Sequence, residues 1–169
     1  LEQGAPIDAF GVGTRLVTGQ NSAALDGVYK LSECGGKPRL KFSENFAKIT
    51  LPGKKTVLRY FDNEGMFYAD GIALEGEQNV EIIYHPFFPE NRSSVRGLRS
   101  ESLLLKVMED GKRLGKWTIA ESSSTAHKRL ATLSAEHKRF ENPHVYKVGI
   151  SGGLLGLRST LVDEFHKTL

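Results

Sequence analysis

The sequence predicts an α+β fold in which a small antiparallel sheet is followed by C-terminal helices. Short runs of β-prone residues separated by glycine turns recur between Val28 and Leu74. Near the C-terminus, apolar residues return at helical spacing, at Leu154, Leu157, Leu161 and Phe165. A third observation is an apolar stretch over residues 6–10 that breaks into a glycine turn. We therefore divide the chain into a strand and turn (1–24), a β-rich region with a long loop (25–110) and a helical region (111–169).

The N-terminal stretch, Pro6-Ile-Asp-Ala-Phe-Gly-Val-Gly-Thr-Arg15, predicts a strand that ends in an anion-binding turn. Gly11 and Gly13 can adopt positive φ and carry no Cβ, so the backbone N–H groups around Val12 can converge on a phosphate. Thr14 adds a hydroxyl donor and Arg15 a positive charge. Because Gly-Val-Gly is also an ordinary tight turn, the residues alone leave both readings open.

The middle of the chain predicts two hairpins. Residues 28–32 and 39–42 pair around a Gly35-Gly36 turn, and residues 56–61 and 66–74 pair around a turn at 62–65, with Gly71 as a candidate bulge. Residues 75–98 predict a loop around a short strand at 80–84. The apolar run 102–107 predicts a buried strand, and Asp110-Gly111 marks the turn after it.

Helices dominate the remainder. Ser122, Ser123 and Ser124 predict the start of a helix over 123–133, which continues into a polar end at 136–138. A short strand follows at 145–150. Ser151 then predicts the N-cap of the terminal helix.

Composition limits the class of protein. The chain has 169 residues, of which 39% are hydrophobic and 25% charged, as in a globular domain, and neither a membrane-spanning run nor a signal peptide is evident. Cys34 is the single cysteine, which excludes an intrachain disulfide and predicts a reducing, cytoplasmic compartment. Because the chain opens at Leu1 directly before an apolar strand, we interpret it as part of a longer polypeptide.

Basic residues carry the candidate chemistry. Nine Lys and Arg fall between Arg15 and Arg59, in a chain of net charge +3, which favours anionic partners. Three lysines, Lys30, Lys41 and Lys48, lie on or beside adjacent predicted strands. There they either converge on a polyanion or form the solvent-exposed face of a sheet. The five histidines are scattered, and no spacing indicates a metal pair or a catalytic triad.

Four blocks in order closely resemble the C-terminal part of bacterial nicotinate phosphoribosyltransferases. They are residues 6–18, Gly27-Val-Tyr-Lys-Leu31, Lys48-Ile-Thr-Leu-Pro-Gly-Lys-Lys55 and Asn142-Pro-His-Val-Tyr146. The resemblance implies a type II phosphoribosyltransferase. In that family the last strand and phosphate loop of an irregular α/β barrel are followed by an antiparallel sheet and helices.

The resemblance also implies a reaction. Such enzymes join nicotinate to phosphoribosyl pyrophosphate to form nicotinate mononucleotide in NAD salvage, with ATP hydrolysis and Mg²⁺, and are usually homodimers that bind neither nucleic acid nor membrane. It places the 5′-phosphate on Gly11, Val12, Gly13 and Thr14, and the pyrophosphate or ATP phosphates on Arg15, Lys30, Lys41 and Lys48. His144 and Tyr146 are expected to be structural. The family's phosphorylated histidine and nicotinate-stacking aromatics lie upstream of this sequence, so we expect no transfer by this chain alone.

One alternative is a non-catalytic, basic, β-rich module that binds nucleic acid or a partner protein. Its support is the basic region with Tyr29, Phe42, Tyr60 and Phe61 nearby. These aromatics alternate as core residues also would.

Overall fold

The computed structural model describes residues 4, 6–18, 29–41, 43, 49–115 and 117–167. The chain forms two compact units, residues 1–30 and 31–169. In the first unit, residues 6–13 have no regular secondary structure and lead into helix α1 (Thr14–Val17). The strand predicted over 6–10 is therefore not formed. A strand is stabilised by hydrogen bonds to a neighbouring strand, and the described residues of this unit contain none.

The second unit is α+β, as predicted. Its elements are β1 (Glu33–Cys34), β2 (Lys37–Pro38), β3 (Lys55–Phe61), β4 (Phe67–Leu74), β5 (Ile82–Tyr84), β6 (Arg92–Ser94), β7 (Ser100–Ser102), β8 (Met108–Glu109), β9 (Lys112–Arg113), α2 (Ile119–Thr132), α3 (Ala135–Lys138), β10 (Val148–Ser151) and α4 (Gly152–His166). Six strands form one sheet in the order β6-β5-β10-β4-β3-β7. β10 runs parallel to β4 and antiparallel to β5, so the sheet is larger than predicted and mixed.

The β3–β4 hairpin lies near the middle of the sheet and confirms the second predicted hairpin. The Asp62 carboxylate orders its turn by accepting the N–H groups of Glu64 (3.0 Å) and Met66 (2.8 Å). The bulge predicted at Gly71 is wrong, because the register shifts between Tyr60 and Phe61 instead. Gly71 serves packing, since a Cβ there would stand 3.0 Å from Tyr60 Cε2.

The first predicted hairpin is present but shifted toward its turn. Gly35 and Gly36 adopt φ of 58° and 69°, values that glycine adopts without steric penalty. β1 and β2 flank them, and the Arg39 N–H donates to the Ser32 carbonyl at 2.8 Å. Residues 28 and 42, the outer ends of the predicted strands, lie outside the described residues.

The buried strand predicted over 102–107 is wrong. β7 pairs with β3 and ends at Ser102, and the following Leu104 and Leu105 are 56% and 71% exposed. The turn at Asp110 and Gly111 is confirmed, with φ of 48° and 73°, and it connects β8 to β9.

The terminal helix is confirmed, whereas the preceding helix starts earlier than predicted. Thr118 caps α2: its Oγ1 accepts the Glu121 N–H at 3.2 Å and the Glu121 carboxylate accepts the Thr118 N–H at 2.9 Å. The predicted start at 122–124 is wrong because this capping box precedes it. The helix breaks at Leu133, which has extended φ and ψ, so α3 is separate. Ser151 caps α4, and its Oγ accepts the Leu154 N–H at 3.2 Å.

The core forms where β5 and β10 pack with the β3–β4 hairpin. Its most buried members are Tyr60, Phe61, Phe67, Ala69, Ala73, Ile83, Val95, Ile150 and Leu154. Among the described residues, no helix combines the length and the apolar character that a membrane span requires.

Candidate functional site

The glycine turn of the first unit is open to solvent. Residues 6–13 are exposed, and the Gly13 carbonyl accepts the N–H groups of Leu16 (3.0 Å) and Val17 (3.3 Å). Neither Gly11 nor Gly13 uses the positive φ that glycine permits. The chain passes directly into the right-handed turn of α1, which requires negative φ. A Cβ added at either glycine would meet nothing within 4 Å, so what the glycines provide is uncovered backbone.

The predicted cationic residues are only partly described. Lys30 is exposed in the first unit and Lys41 is exposed in the second. The Lys41 N–H donates to Thr50 Oγ1 at 3.0 Å, which fixes the backbone of this lysine. The backbone of Thr14 and Arg15 lies in α1, and Lys48 falls outside the described residues. The convergence of these side chains on one polyanion stays a prediction.

A charged cluster on the sheet was missed by the sequence reasoning. Arg59 on β3 faces Asp70 on β4 and donates twice, from Nε to Oδ1 (2.8 Å) and from Nη2 to Oδ2 (2.7 Å). Tyr146 donates its hydroxyl to the same Oδ1 at 3.1 Å. The guanidinium carbon also lies 4.2 Å from the centre of the Phe67 ring. The Arg59–Asp70 pairing could not be counted from the turn after β3, because the register shift between Tyr60 and Phe61 moves the pairing by one residue, and no local signal points to Tyr146.

Burial and charge set the protonation of this cluster. The hydrogen bond to Asp70 is the main cause of the raised pKa of Arg59. Burial, followed by the negative charge of Asp70, raises the pKa of the Tyr146 phenol well above its usual range. The Tyr146 ring also meets the edge of the His137 ring, with centroids 5.5 Å apart, and His137 Nδ1 lies 2.8 Å from the His144 carbonyl oxygen. These contacts hold residues 137–146 against the sheet.

A second polar cluster joins β4 to α4 through Glu77. Its carboxylate accepts the Ser151 hydroxyl (2.6 Å), the Gly153 N–H (3.0 Å) and the Leu74 N–H (3.1 Å). Ser151 is fully buried. The cluster therefore satisfies backbone donors at the start of α4 with a negative charge, the sign that a helix N-terminus favours.

Two of the four aromatic residues that supported a nucleic-acid module are buried. Tyr60 and Phe61 are only 3% and 4% exposed, so neither can stack on a base. Tyr29 is 98% exposed, and Phe42 lies outside the described residues. Burial thus removes two of the four aromatic residues on which the nucleic-acid alternative rested.

Fold and site together define an α+β domain whose described residues present exposed backbone amides and exposed lysines to solvent. No three His, Cys, Asp or Glu side chains cluster there as metal ligands would. The chemical groups that stand out are the uncovered amides of the glycine turn and the exposed lysines.

Comparison with known proteins identifies this domain. Residues 54–158 match the family model of the nicotinate phosphoribosyltransferase C-terminal domain, and the chain belongs to that family. The nicotinate phosphoribosyltransferase of Caenorhabditis elegans is 36% identical over 167 residues, which cover 95% of this chain and 30% of that protein. Nicotinate phosphoribosyltransferase 1 of Arabidopsis thaliana is 35% identical, covering 98% of this chain and 32% of that protein.

A solved structure supports the same assignment. The crystal structure of human nicotinic acid phosphoribosyltransferase matches with a TM-score of 0.68 and 32% identity, over 82% of this chain and 27% of that chain. This chain thus spans about a third of the length of the curated relatives that it matches, 30% and 32% in the two cases above. These relatives are eukaryotic, so the bacterial origin suggested by the resemblance is not borne out.

Proposed function

We propose that this chain acts as the C-terminal part of a nicotinate phosphoribosyltransferase. The whole protein would join nicotinate to phosphoribosyl pyrophosphate, as a glycosyltransferase and ligase, and form nicotinate mononucleotide for NAD salvage with ATP hydrolysis. The observation that carries this proposal is the alignment of 95% of the chain with one such enzyme. Residues 54–158 of this chain match the family's C-terminal domain within that alignment.

The glycine turn is the proposed 5′-phosphate site. Gly11, Val12, Gly13 and Thr14 would direct backbone N–H groups and one hydroxyl at the phosphate oxygens. The support is that Gly11 and Gly13 lie in open space and are exposed. Phosphate oxygens accept hydrogen bonds from such amides without any further charge.

The proposed pyrophosphate and ATP contacts are Arg15, Lys30, Lys41 and Lys48. Their charges suit a polyphosphate, and both Lys30 and Lys41 are exposed. Mg²⁺ is a different case, because the described residues hold no cluster of three His, Cys, Asp or Glu that would cage it. We therefore assign no Mg²⁺ ligand to them.

Transfer requires more than this chain. Displacement at the ribose carbon requires base, ribose and pyrophosphate aligned together, with groups placed where charge develops. The proposed residues meet phosphate oxygens only, so the chain alone should not form nicotinate mononucleotide. We further propose that the whole protein is a cytoplasmic homodimer.

A chimera tests the proposal. The aligned C-terminal third of the Caenorhabditis elegans relative is replaced by this chain, and formation of nicotinate mononucleotide is measured. Gly13→Val tests the turn without disturbing the fold, because an added Cβ would meet nothing within 4 Å and φ at Gly13 is not left-handed. We expect it to raise KM for phosphoribosyl pyrophosphate at least about tenfold, since the valine covers amides that bind phosphate.

Two further variants complete the experiment. Lys41→Gln should raise the same KM, whereas Lys128→Gln, at an exposed lysine of α2, should leave it unchanged. If the chimera is active and neither Gly13→Val nor Lys41→Gln changes its KM for phosphoribosyl pyrophosphate, the proposed phosphate site is wrong. Full turnover by the isolated chain would contradict the proposed need for upstream residues.

A further inference from the structure

A cavity in the second unit is lined by none of the residues proposed above. It has a volume of about 570 Å³ and lies between the β5–β6 hairpin and residues 145–149. Its walls include Tyr84, His85, Arg92, Val145, Lys147 and Val148. The volume falls within the roughly 300–1,000 Å³ of small-molecule sites.

The wall of this cavity carries positive charge without negative charge. Arg92 and Lys147 line it and none of its lining residues is Asp or Glu, although the chain contains 20 acidic residues. Asp70, which pairs in register with Val148, is bound by Arg59 through two hydrogen bonds. A cavity of one sign attracts ligands of the opposite sign.

Both cations can bind an anion. Of the described residues, none forms an ion pair with Arg92, which is exposed on β6, whereas Arg59, Arg96 and Arg129 each pair with a carboxylate. The Lys147 ammonium lies 4.2 Å from the centre of the Tyr68 ring. This cation–π contact orients the ammonium and leaves its N–H donors to other acceptors.

His85 adds a donor of fixed tautomer. Its Nδ1 accepts the N–H groups of Phe87 (3.2 Å) and Phe88 (3.1 Å). The ring proton must then reside on Nε2, which makes that atom a hydrogen-bond donor. The backbone geometry around the histidine therefore selects a donor over an acceptor for the ligand.

The cavity also presents apolar surface. Val145 is 91% exposed and Val148 is 49% exposed, and both line the cavity beside Tyr84. Exposed valines next to cations favour a ligand with an anionic end and an apolar or aromatic body.

We propose that this cavity binds a phosphate monoester with an aromatic body, the chemistry of a mononucleotide. Arg92 and Lys147 pair with the phosphate, His85 Nε2 donates a hydrogen bond, and the body lies against Tyr84, Val145 and Val148. All lining residues belong to the second unit, 31–169. None of them belongs to the proposed phosphate contacts, so the inference does not rest on the proposed function.

Calorimetric titration of the 169-residue chain tests this inference with AMP as the probe. We expect saturable 1:1 binding of AMP, at least about tenfold weaker binding of inorganic phosphate and of adenosine, and loss of affinity in high salt. Adenosine binding as tightly as AMP would overturn the role of the cations. Inorganic phosphate binding as tightly as AMP would show a simple anion site and would contradict the proposed contact with an aromatic body.

Variants locate the binding. Arg92→Gln should weaken AMP binding about tenfold, whereas Arg113→Gln, an equal charge change at an exposed arginine of β9 outside the cavity, should change it less than about twofold. Asn91→Asp places a negative charge in the cavity wall and should weaken binding further. Equal effects of Arg92→Gln and Arg113→Gln would indicate attraction to the net charge of the chain. No heat of binding at up to about 5 mM AMP, where even weak complexes form, would also overturn the proposal.

Discussion

Two ion pairs of the second unit contain the same chemical groups at different burial, and together they predict how burial sets their contribution to stability. Arg59 and Asp70 side chains are 20% and 13% exposed, and the Nη2 to Oδ2 distance is 2.7 Å. Arg96 and Glu81 side chains are 72% and 49% exposed, with 2.6 Å between Nη2 and Oε2. We expect Asp70→Asn to lower the free energy of unfolding by about 2–3 kcal/mol, and Glu81→Gln by less than about 0.5 kcal/mol.

The magnitude follows from what each change leaves behind. Asp70→Asn removes the negative charge that faces the Arg59 guanidinium and leaves only one oxygen to accept its two charge-assisted hydrogen bonds, each contributing about 1.5–3 kcal/mol. Removing one partner of a fully buried pair costs about 3–5 kcal/mol. The value here is lower because water reaches part of the guanidinium and the amide oxygen still accepts. At Glu81, water replaces the lost partner almost completely.

Urea unfolding followed by far-UV circular dichroism measures both changes in one experiment. The denaturant midpoint should fall clearly for Asp70→Asn with an unchanged m-value, which excludes a change in compactness. The corresponding thermal midpoint should fall by about 4–12 °C for a chain of this length. Equal midpoints for Asp70→Asn and Glu81→Gln would refute the claim that burial decides the contribution.

Three other perturbations follow from contacts in the same unit. Gly149→Ala should lower the free energy of unfolding by about 1–3 kcal/mol, because its Cβ would lie 2.9 Å from Ile83 Cβ. Gly156→Ala, in open space on α4, should raise the free energy of unfolding by up to about 1 kcal/mol. Changes of the opposite sign in urea titrations would contradict this packing. Ser151→Ala should remove about 1–2 kcal/mol and lower amide-exchange protection at the start of α4, and unchanged protection would exclude the capping role. The folded-state pKa of Tyr146 is raised by burial, so its stabilising contribution is complete below the ordinary tyrosine pKa of about 10 and is lost as the pH rises toward the folded-state value. Tyr146→Phe should flatten the alkaline decline in unfolding midpoint, and an equally steep decline would count against this assignment.

Local sequence signals predicted the hairpins and the terminal helix well. The 62–65 turn and the alternation on both sides of it determine β3 and β4 by neighbouring interactions alone. Ser151 and the apolar spacing after it did the same for α4. The start of α2 was predictable too, because Thr118 and Glu121 form a readable capping box, but the three serines at 122–124 drew the prediction away from it.

Long-range pairing escaped prediction. β10 lies 74 or more residues after β4 in the sequence and still runs beside it, pairing Val148 with Asp70. Its position brings Tyr146 to Asp70 and Ser151 to Glu77, so both polar clusters depend on it. Single-sequence periodicity gives the type of a strand but carries no information on its partner, and this explains why the clusters were found only in the structure.

The N-terminal stretch shows where fold and proposed site depend on different interactions. The second unit buries its own core, whereas Phe10, Val12 and Leu16 of the first unit are 61%, 51% and 73% exposed. The family resemblance places residues 6–10 as a barrel strand, whose hydrogen bonds come from other strands that the described residues do not include. Pairing with such strands would bury Phe10 and fix the backbone at Gly11 and Gly13. On the proposed function, the barrel would therefore set the phosphate-binding conformation of the turn, while the sheet and α4 form among residues of the second unit.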